Sequence, residues 1–162
     1  MPIYFFDTSA LQHRYMDGPY SKRIRRILST QSNECFIADI TILEIASALG
    51  RRCRQGNFRY QRYDQADDRF WKDIREGNLI VRETTQREVM RARNLLRYAG
   101  IVKRRNLGSA DALIAVSSLE LALERGQTII FYTSDWTLYN VLSEIDAFTA
   151  VLTLRLAGIP KA

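Results

Sequence analysis

Four acids in this sequence sit where carboxylates could converge: Asp7, Glu44, Asp111 and Asp135. Asp7 closes the apolar run Ile3-Tyr4-Phe5-Phe6 and is followed by Thr8 and Ser9. Asp135 follows a second such run, Thr128 to Tyr132, through Thr133-Ser134. Glu44 lies a few residues after the run Cys35 to Ala38, and Asp111 is the only charge between Arg105 and Glu120. An unpaired carboxylate in so apolar a stretch carries a desolvation cost of several kcal/mol, so it calls for cations or hydrogen bonds nearby. Converging carboxylates with no Lys among them repel one another unless a metal neutralises them. Oxygen donors select hard cations such as Mg²⁺ or Mn²⁺. With a single imidazole, His13, the chain has no His-rich zinc site, and a His-dependent triad would have to use that residue. His13 reads as a surface or packing group.

Each acid also has an ordinary explanation. Asp7 and Asp135 could be helix N-caps. Thr41-Ile42-Leu43-Glu44 fits a capping box, and Asp111, two residues after Ser109, could complement a helix dipole. Placement weighs against caps alone. Every helix start needs a cap, whereas these acids mostly follow strands, and open parallel sheets bind ligands beyond the carboxyl ends of their strands.

The elements that must position them follow from hydropathy. Short β-branched or aromatic runs at Ile3 to Phe6, Cys35 to Ala38, Leu79 to Val81, Thr128 to Tyr132 and Phe148 to Leu152 suit buried strands. Helical patterns lie between them. Ile24, Ile27 and Leu28 mark one over 21–28; Ile42, Ile45, Ala46 and Leu49 form an i, i+3, i+4, i+7 stripe. Tyr63, Ala66, Phe70 and Ile74 continue after Gly56, and Val89, Leu95 and Leu96 precede Gly100. The stretch 110–123 is apolar almost all round, as for a helix covered on several sides, and a short helix is predicted over 136–143. Alternation of strands with helices predicts an α/β chain with a mostly parallel sheet, and no linker or repeat divides it, so one domain over 1–162 is expected.

Composition narrows the class. The chain has 162 residues, 24 Lys+Arg against 18 Asp+Glu, a net charge of +6 and a pI near 9.6. A chain of this length buries roughly 70% of its unfolded surface, so no staples are needed. Cys35 and Cys53 are too few for a disulfide framework. The start Met1-Pro2-Ile3-Tyr4 lacks the features of a leader, and no window approaches the roughly 20 apolar residues of a membrane span. A soluble, cytoplasmic protein is expected.

Together, Phe6-Asp7-Thr8-Ser9-Ala10-Leu11, Ile42-Leu43-Glu44-Ile45, Ser109-Ala110-Asp111-Ala112-Leu113-Ile114-Ala115 and Thr133-Ser134-Asp135 resemble the motifs of PIN-domain ribonucleases, in particular the short VapC-type toxins of toxin-antitoxin pairs. The resemblance implies a PIN-like three-layer α/β/α domain with a five-stranded sheet in order 3-2-1-4-5 and metal-dependent endonucleolytic cleavage of RNA. It implies Asp7, Glu44, Asp111 and Asp135 as the acidic quartet, Asp7 and Asp111 as metal ligands for Mg²⁺ or Mn²⁺, and Ser9 and Thr133 as supporting hydroxyls. An antitoxin partner and a homodimer follow, with the helical pair of segment 51–76 serving both. The chain departs from the pattern at Asp39, where a small hydroxyl residue is common, and at Leu138, where some members carry a polar group. A catalytically silent module that kept the fold for RNA or partner binding is the rival reading. A HAD-type phosphatase would need Asp-x-Asp-x-Thr after the first strand, a receiver domain an acid pair there, and a P-loop enzyme GxxxxGK[ST]; none is present.

Basic residues suggest where RNA would lie. From Arg87 to Arg105 there are seven against Glu88 alone, a local +6 ending just before Asp111, which singles out Lys103, Arg104 and Arg105 as an RNA-binding patch. Segment 51–76 has eight basic residues against five acids, a weaker bias. Its aromatics Phe58, Tyr60, Tyr63, Phe70 and Trp71 could stack on bases, but helical spacing favours packing or a protein interface.

Overall fold

The computed structural model describes residues 1–56 and 59–157. Five strands, β1 (Ile3–Phe6), β2 (Glu34–Ala38), β3 (Ile80–Arg82), β4 (Ile129–Thr133) and β5 (Leu152–Leu156), form one sheet in order β3-β2-β1-β4-β5. All four pairings are parallel. The implied strand order is the observed one.

Continuous apolar strands are what a sheet covered on both faces requires. Ile3 and Phe5 of β1 face one layer with Phe36 and Phe131; Phe6 faces the other with Ile37 and Tyr132. Phe5 stands in register with Phe36 on one side and Phe131 on the other. The Phe6 face is covered by α1 (Thr8–Tyr15), α2 (Ser21–Leu28), α3 (Ile40–Arg54) and α4 (Tyr60–Arg75). The Phe5 face is covered by α5 (Gln86–Arg97), α6 (Ser109–Arg125), α7 (Trp136–Ser143) and the short α8 (Asp146–Thr149). This gives three layers, α/β/α. A π-helical turn over Tyr98–Val102 and a loop lead from α5 to α6.

Periodicity found these helices because each buries one stripe. Ile45 and Leu49 on α3, and Ala66 and Phe70 on α4, are buried. α6 buries residues around most of its circumference, since it lies between sheet, α5 and α3. Gly126, at φ +60°, ends it in the left-handed conformation that only glycine adopts without strain. α5 begins with a true capping box, Thr85 and Glu88.

Only β1 has the expected bounds: β2 begins one residue earlier and β3 lies one residue later than expected, and β4 and β5 differ in ways that matter for the site and the core. The run 148–152 does not form β5; Phe148 enters the core from α8, and the strand begins at Leu152. Leu152, Leu154 and Leu156 alternate with Thr153 and Arg155, and this register pairs Ile129 to Thr133 with Leu152 to Leu156 in full. The exposed Arg155 disguised that alternation. β4 runs one residue further than expected, which makes Thr133 a buried strand residue. Replacing fully buried Phe131 by Ala should cost about 3–5 kcal/mol, read as a shift in the denaturant midpoint; a loss under about 1 kcal/mol would mean that the sheet does not pack at this ring.

Candidate metal centre

β1 and β4 are neighbours, so their carboxyl ends bring Asp7 and Thr133 together. The Asp7 N–H donates to the Tyr132 carbonyl at 2.9 Å, which continues the ladder one residue past β1. Asp7 occupies the N-cap position of α1, yet its side chain caps nothing. Oδ2 accepts from the Ser9 hydroxyl and, at 2.8 Å, from Thr133 Oγ1. Oδ1 is buried with no hydrogen-bond partner among the described residues. The Asp135 N–H donates to Thr133 Oγ1 at 3.0 Å and the Ser134 N–H to Ser9 Oγ at 2.9 Å, so both hydroxyls are held from behind.

Glu44 approaches from α3. The helix is capped by Asp39, whose carboxylate accepts from the Ile40 N–H, so no box forms between Thr41 and Glu44. Instead the Thr8 hydroxyl donates to Glu44 Oε2 at 2.6 Å. Asp111 approaches from the first turn of α6 and takes a hydrogen bond from the Gly108 backbone. A Cβ at Gly108 would lie 2.5 Å from Asp111 Oδ2. Asp7, Glu44 and Asp111 each bring one oxygen within 4.8 Å of the others. Asp135 stands outside that trio; its Oδ1 caps α7 through the N–H groups of Thr137 and Leu138, at 2.6 and 3.0 Å. Its charge still acts on Asp111.

The charges bearing on Asp7 and Asp111 are all carboxylates. Burial pushes Asp7 from an ordinary 3.8 up to about 7, opposed by the Ser9 and Thr133 hydrogen bonds and reinforced by Asp111 and Glu44. Asp111 rises to about 6, through burial first and then the Glu44 and Asp135 charges, with the Gly108 bond opposing. Such a trio is an all-oxygen donor set, and the orphaned Asp7 Oδ1 lacks the partner that a buried carboxylate oxygen needs. A hard divalent cation fits it.

A sequence model described as PIN domain matches residues 4–142. The chain belongs to the PIN domain family. Among solved structures, it is similar to VapBC2 from Rickettsia felis bound to a DNA fragment from their promoter, at 16% identity over 94% of this chain and 98% of that chain, TM-score 0.63. VapBC-1 from nontypeable Haemophilus influenzae matches at 15% identity over 96% and 98%, TM-score 0.62. PAE2754 from Pyrobaculum aerophilum matches at 25% identity over 86% of each chain, TM-score 0.53. No curated protein sequence matches. At 15 and 16% identity the VapBC likeness is one of fold.

Within this PIN domain Glu44 and Asp111, with Thr8 and Ser9, line a cleft of about 550 Å³ that also reaches Gln12, Leu43, Ser47 and Arg51, while Asp7 lies buried behind it. Sequence reasoning missed Thr8, Gly108 and Arg51. Arg51 was detectable, since it lies seven residues after Glu44 on one helix face. Asp39 belongs to a different network: it accepts from the Thr84 N–H at 3.1 Å and from its hydroxyl, tying α3 to the loop before α5. Leu138 is fully buried. His13 packs edge-to-face on Tyr20 at 4.9 Å, and its pKa is lowered by burial and then by Arg52. Of the basic segment, Lys103 and Arg105 share Glu144, and Arg91 pairs with Glu120. Glu144 caps the far end of α7 from Asp135, about 12 Å along the helix.

Two outcomes are expected. In metal-free protein, Asp7 binds its proton more tightly folded than unfolded, so wild type should lose stability relative to Asp7→Asn as pH rises from about 4 to about 7. Mg²⁺ or Mn²⁺ should restore it at pH 8 and do little at pH 5, where protons compete; melting curves that run parallel at every pH would reject the coupling. Gly108→Ala, in an unstrained backbone position, should leave the melting temperature within a few degrees but weaken Mn²⁺ binding at least tenfold by displacing Asp111, as titration calorimetry can measure.

Proposed function

We propose that this PIN-domain chain is a Mg²⁺- or Mn²⁺-dependent endoribonuclease, the toxin of a toxin-antitoxin pair. The observation that carries the reading is a buried Asp7, whose Oδ1 has no partner among the described residues, brought within one oxygen cluster with Glu44 and Asp111 at the carboxyl edge of the sheet. The VapBC names of its fold relatives favour a protein antitoxin as the partner.

Asp7 and Asp111 would hold the ion, with Glu44 beside them and Asp135 acting through its charge on Asp111. When bound, such an ion offsets the carboxylate repulsion and supplies an acidified water close to a phosphodiester. The rest is the work of the chain itself. Ser9 and Thr133 fix the Asp7 rotamer, Thr8 fixes Glu44, and the Gly108 N–H fixes Asp111. Arg51 at the cleft wall gives the scissile phosphate a cation. Arg104, in the loop before α6, adds a charge to RNA approach, while Lys103 and Arg105 contribute less because Glu144 offsets them.

For the partners, the exposed Leu43, Tyr60 and Trp71 on the α3–α4 pair offer an apolar surface for an antitoxin segment or a second copy. Phe58 lies outside the described residues, and Phe70 is core. No helix among the described residues is long and apolar enough to cross a membrane.

Partner-free protein should cut single-stranded or structured RNA with Mg²⁺ or Mn²⁺ and stop in EDTA. Asp7→Asn and Asp111→Asn should each lower the rate at least a hundredfold, as gel-resolved initial rates can measure. Undiminished cleavage in either variant would sink the assignment, and RNA binding without cleavage in any divalent ion would favour the silent module.

A further inference from the structure

On the flank of the sheet away from α3, Arg23 and Arg26 of α2 and Arg155 of β5 line one cavity of about 490 Å³. Tyr4, Ile130 and Tyr132 form its wall, and among the described residues no acidic side chain lines it. The Arg23 guanidinium lies 5.4 Å from the centroid of the Tyr132 ring. Arg155 is the register partner of Tyr132 across β4 and β5. Burial raises the pKa of the Tyr132 phenol while Arg23 and Arg155 pull it the other way, so both cations surround one hydroxyl.

Six arginines of this chain meet acids among the described residues: Arg14, Arg69, Arg82, Arg91, Arg105 and Arg125 each form an ion pair. Arg23, Arg26 and Arg155 form none among the described residues. Three like charges gathered in a concavity repel one another, and an anion removes that repulsion. The planar guanidinium fork matches phosphate oxygens in pairs. The volume is that of a small-ligand pocket, on the order of 300–1,000 Å³, so it has room for more than a bare phosphate. Half-buried Tyr4 supplies the apolar surface on which a ribose or base can rest.

The position relates this pocket to the metal centre. Tyr132 and Thr133 are consecutive on β4 and point to opposite faces; Thr133 holds Asp7, and the Tyr132 carbonyl accepts the Asp7 N–H. The pocket begins at Tyr132, next to Thr133, and runs along the α2 side of β4 and β1 toward Ile130 and Tyr4. We propose that this pocket is a second RNA contact, which grips a nucleotide of the substrate strand by its phosphate at a distance from the bond to be cut. It rests on the ribonuclease reading above.

The test is fluorescence anisotropy with a 20-nucleotide single-stranded RNA in EDTA, so that no cleavage occurs, over a salt series. The variant carrying Arg23→Gln, Arg26→Gln and Arg155→Gln should bind at least tenfold more weakly near 0.1 M salt. Its slope of log K against log salt should be shallower by about 2, from about 0.7 per neutralised phosphate. The corresponding triple Lys variant, which keeps the charges, should retain the wild-type slope. With Mg²⁺ restored, a dinucleotide too short to span both places should be cut by the glutamine variant with unchanged kcat/KM. Wild-type affinity and slope in the glutamine variant would overturn the pocket alone, and so would a loss confined to binding of an acidic protein partner. Failure of wild type to bind RNA would overturn the ribonuclease reading and this inference with it.

Discussion

A carboxylate with no access to water is the constraint on which this structure turns. Asp7 is fully buried, one of its oxygens has no partner among the described residues, and the charges acting on it are other acids. Left alone, an ionised group so placed is disfavoured by several kcal/mol. The chain supplies partial relief through Ser9 and Thr133, which donate to the same oxygen, Oδ2. Two donors on one oxygen leave the other without a partner among the described residues, in a carboxylate that shares one cluster with Glu44 and Asp111. The site is therefore built to be incomplete: the hydroxyls set a direction, and a cation must supply the rest.

The fold explains how such a group can be kept. β1 is the middle strand of a sheet covered on both faces, so the chain leaving Phe6 emerges at the carboxyl edge and not at an exposed rim. At that edge α1, α3, α6 and α7 all begin, at Thr8, Ile40, Ser109 and Trp136. Their N-termini carry partial positive charge. Part of it acts through named bonds, since backbone N–H groups hold Ser9, Thr133, Asp111 and Asp135. The parallel topology thus does more than gather acids from four distant parts of the chain. It also surrounds them with oriented donors that tolerate their charge.

Most of the architecture was legible because it follows from burial, and burial leaves a period in the sequence. Helices with one apolar stripe, such as α3 and α4, and strands apolar on both faces, such as β1 and β4, were recognisable. β5 was not, because an edge strand with Arg155 on its open side looks less like a strand than the apolar run just before it. At the site, residue types could nominate Asp7, Glu44 and Asp111 but could not separate them from caps. The structure distinguishes them by hydrogen bonding: Asp135 and Asp39 cap helices, whereas Asp7 sits at a cap position without capping. Gly108 carried no signal at all. Its importance lies in a Cβ that is absent and in where Asp111 would otherwise go.

The basic surplus shows why charge counts mislead when taken along the chain. Segment 87–105 holds a net +6, yet Arg91, Lys103 and Arg105 meet Glu120 and Glu144, acids from α6 and the end of α7. Charge that is paired within the protein steers little, and Glu144 holds two of these groups at the end of α7 remote from the carboxylates. Arg23 and Arg26 belong to the basic run Lys22-Arg23-Ile24-Arg25-Arg26, but nothing in the sequence joins that run to Arg155, far along the chain. The strand order brings them together, because β5 lies beside β4 while α2 packs over the same flank. An electrostatic surface is a property of topology: the carboxylates converge because their strands are neighbours, and the unpaired arginines converge for the same reason, one strand further out.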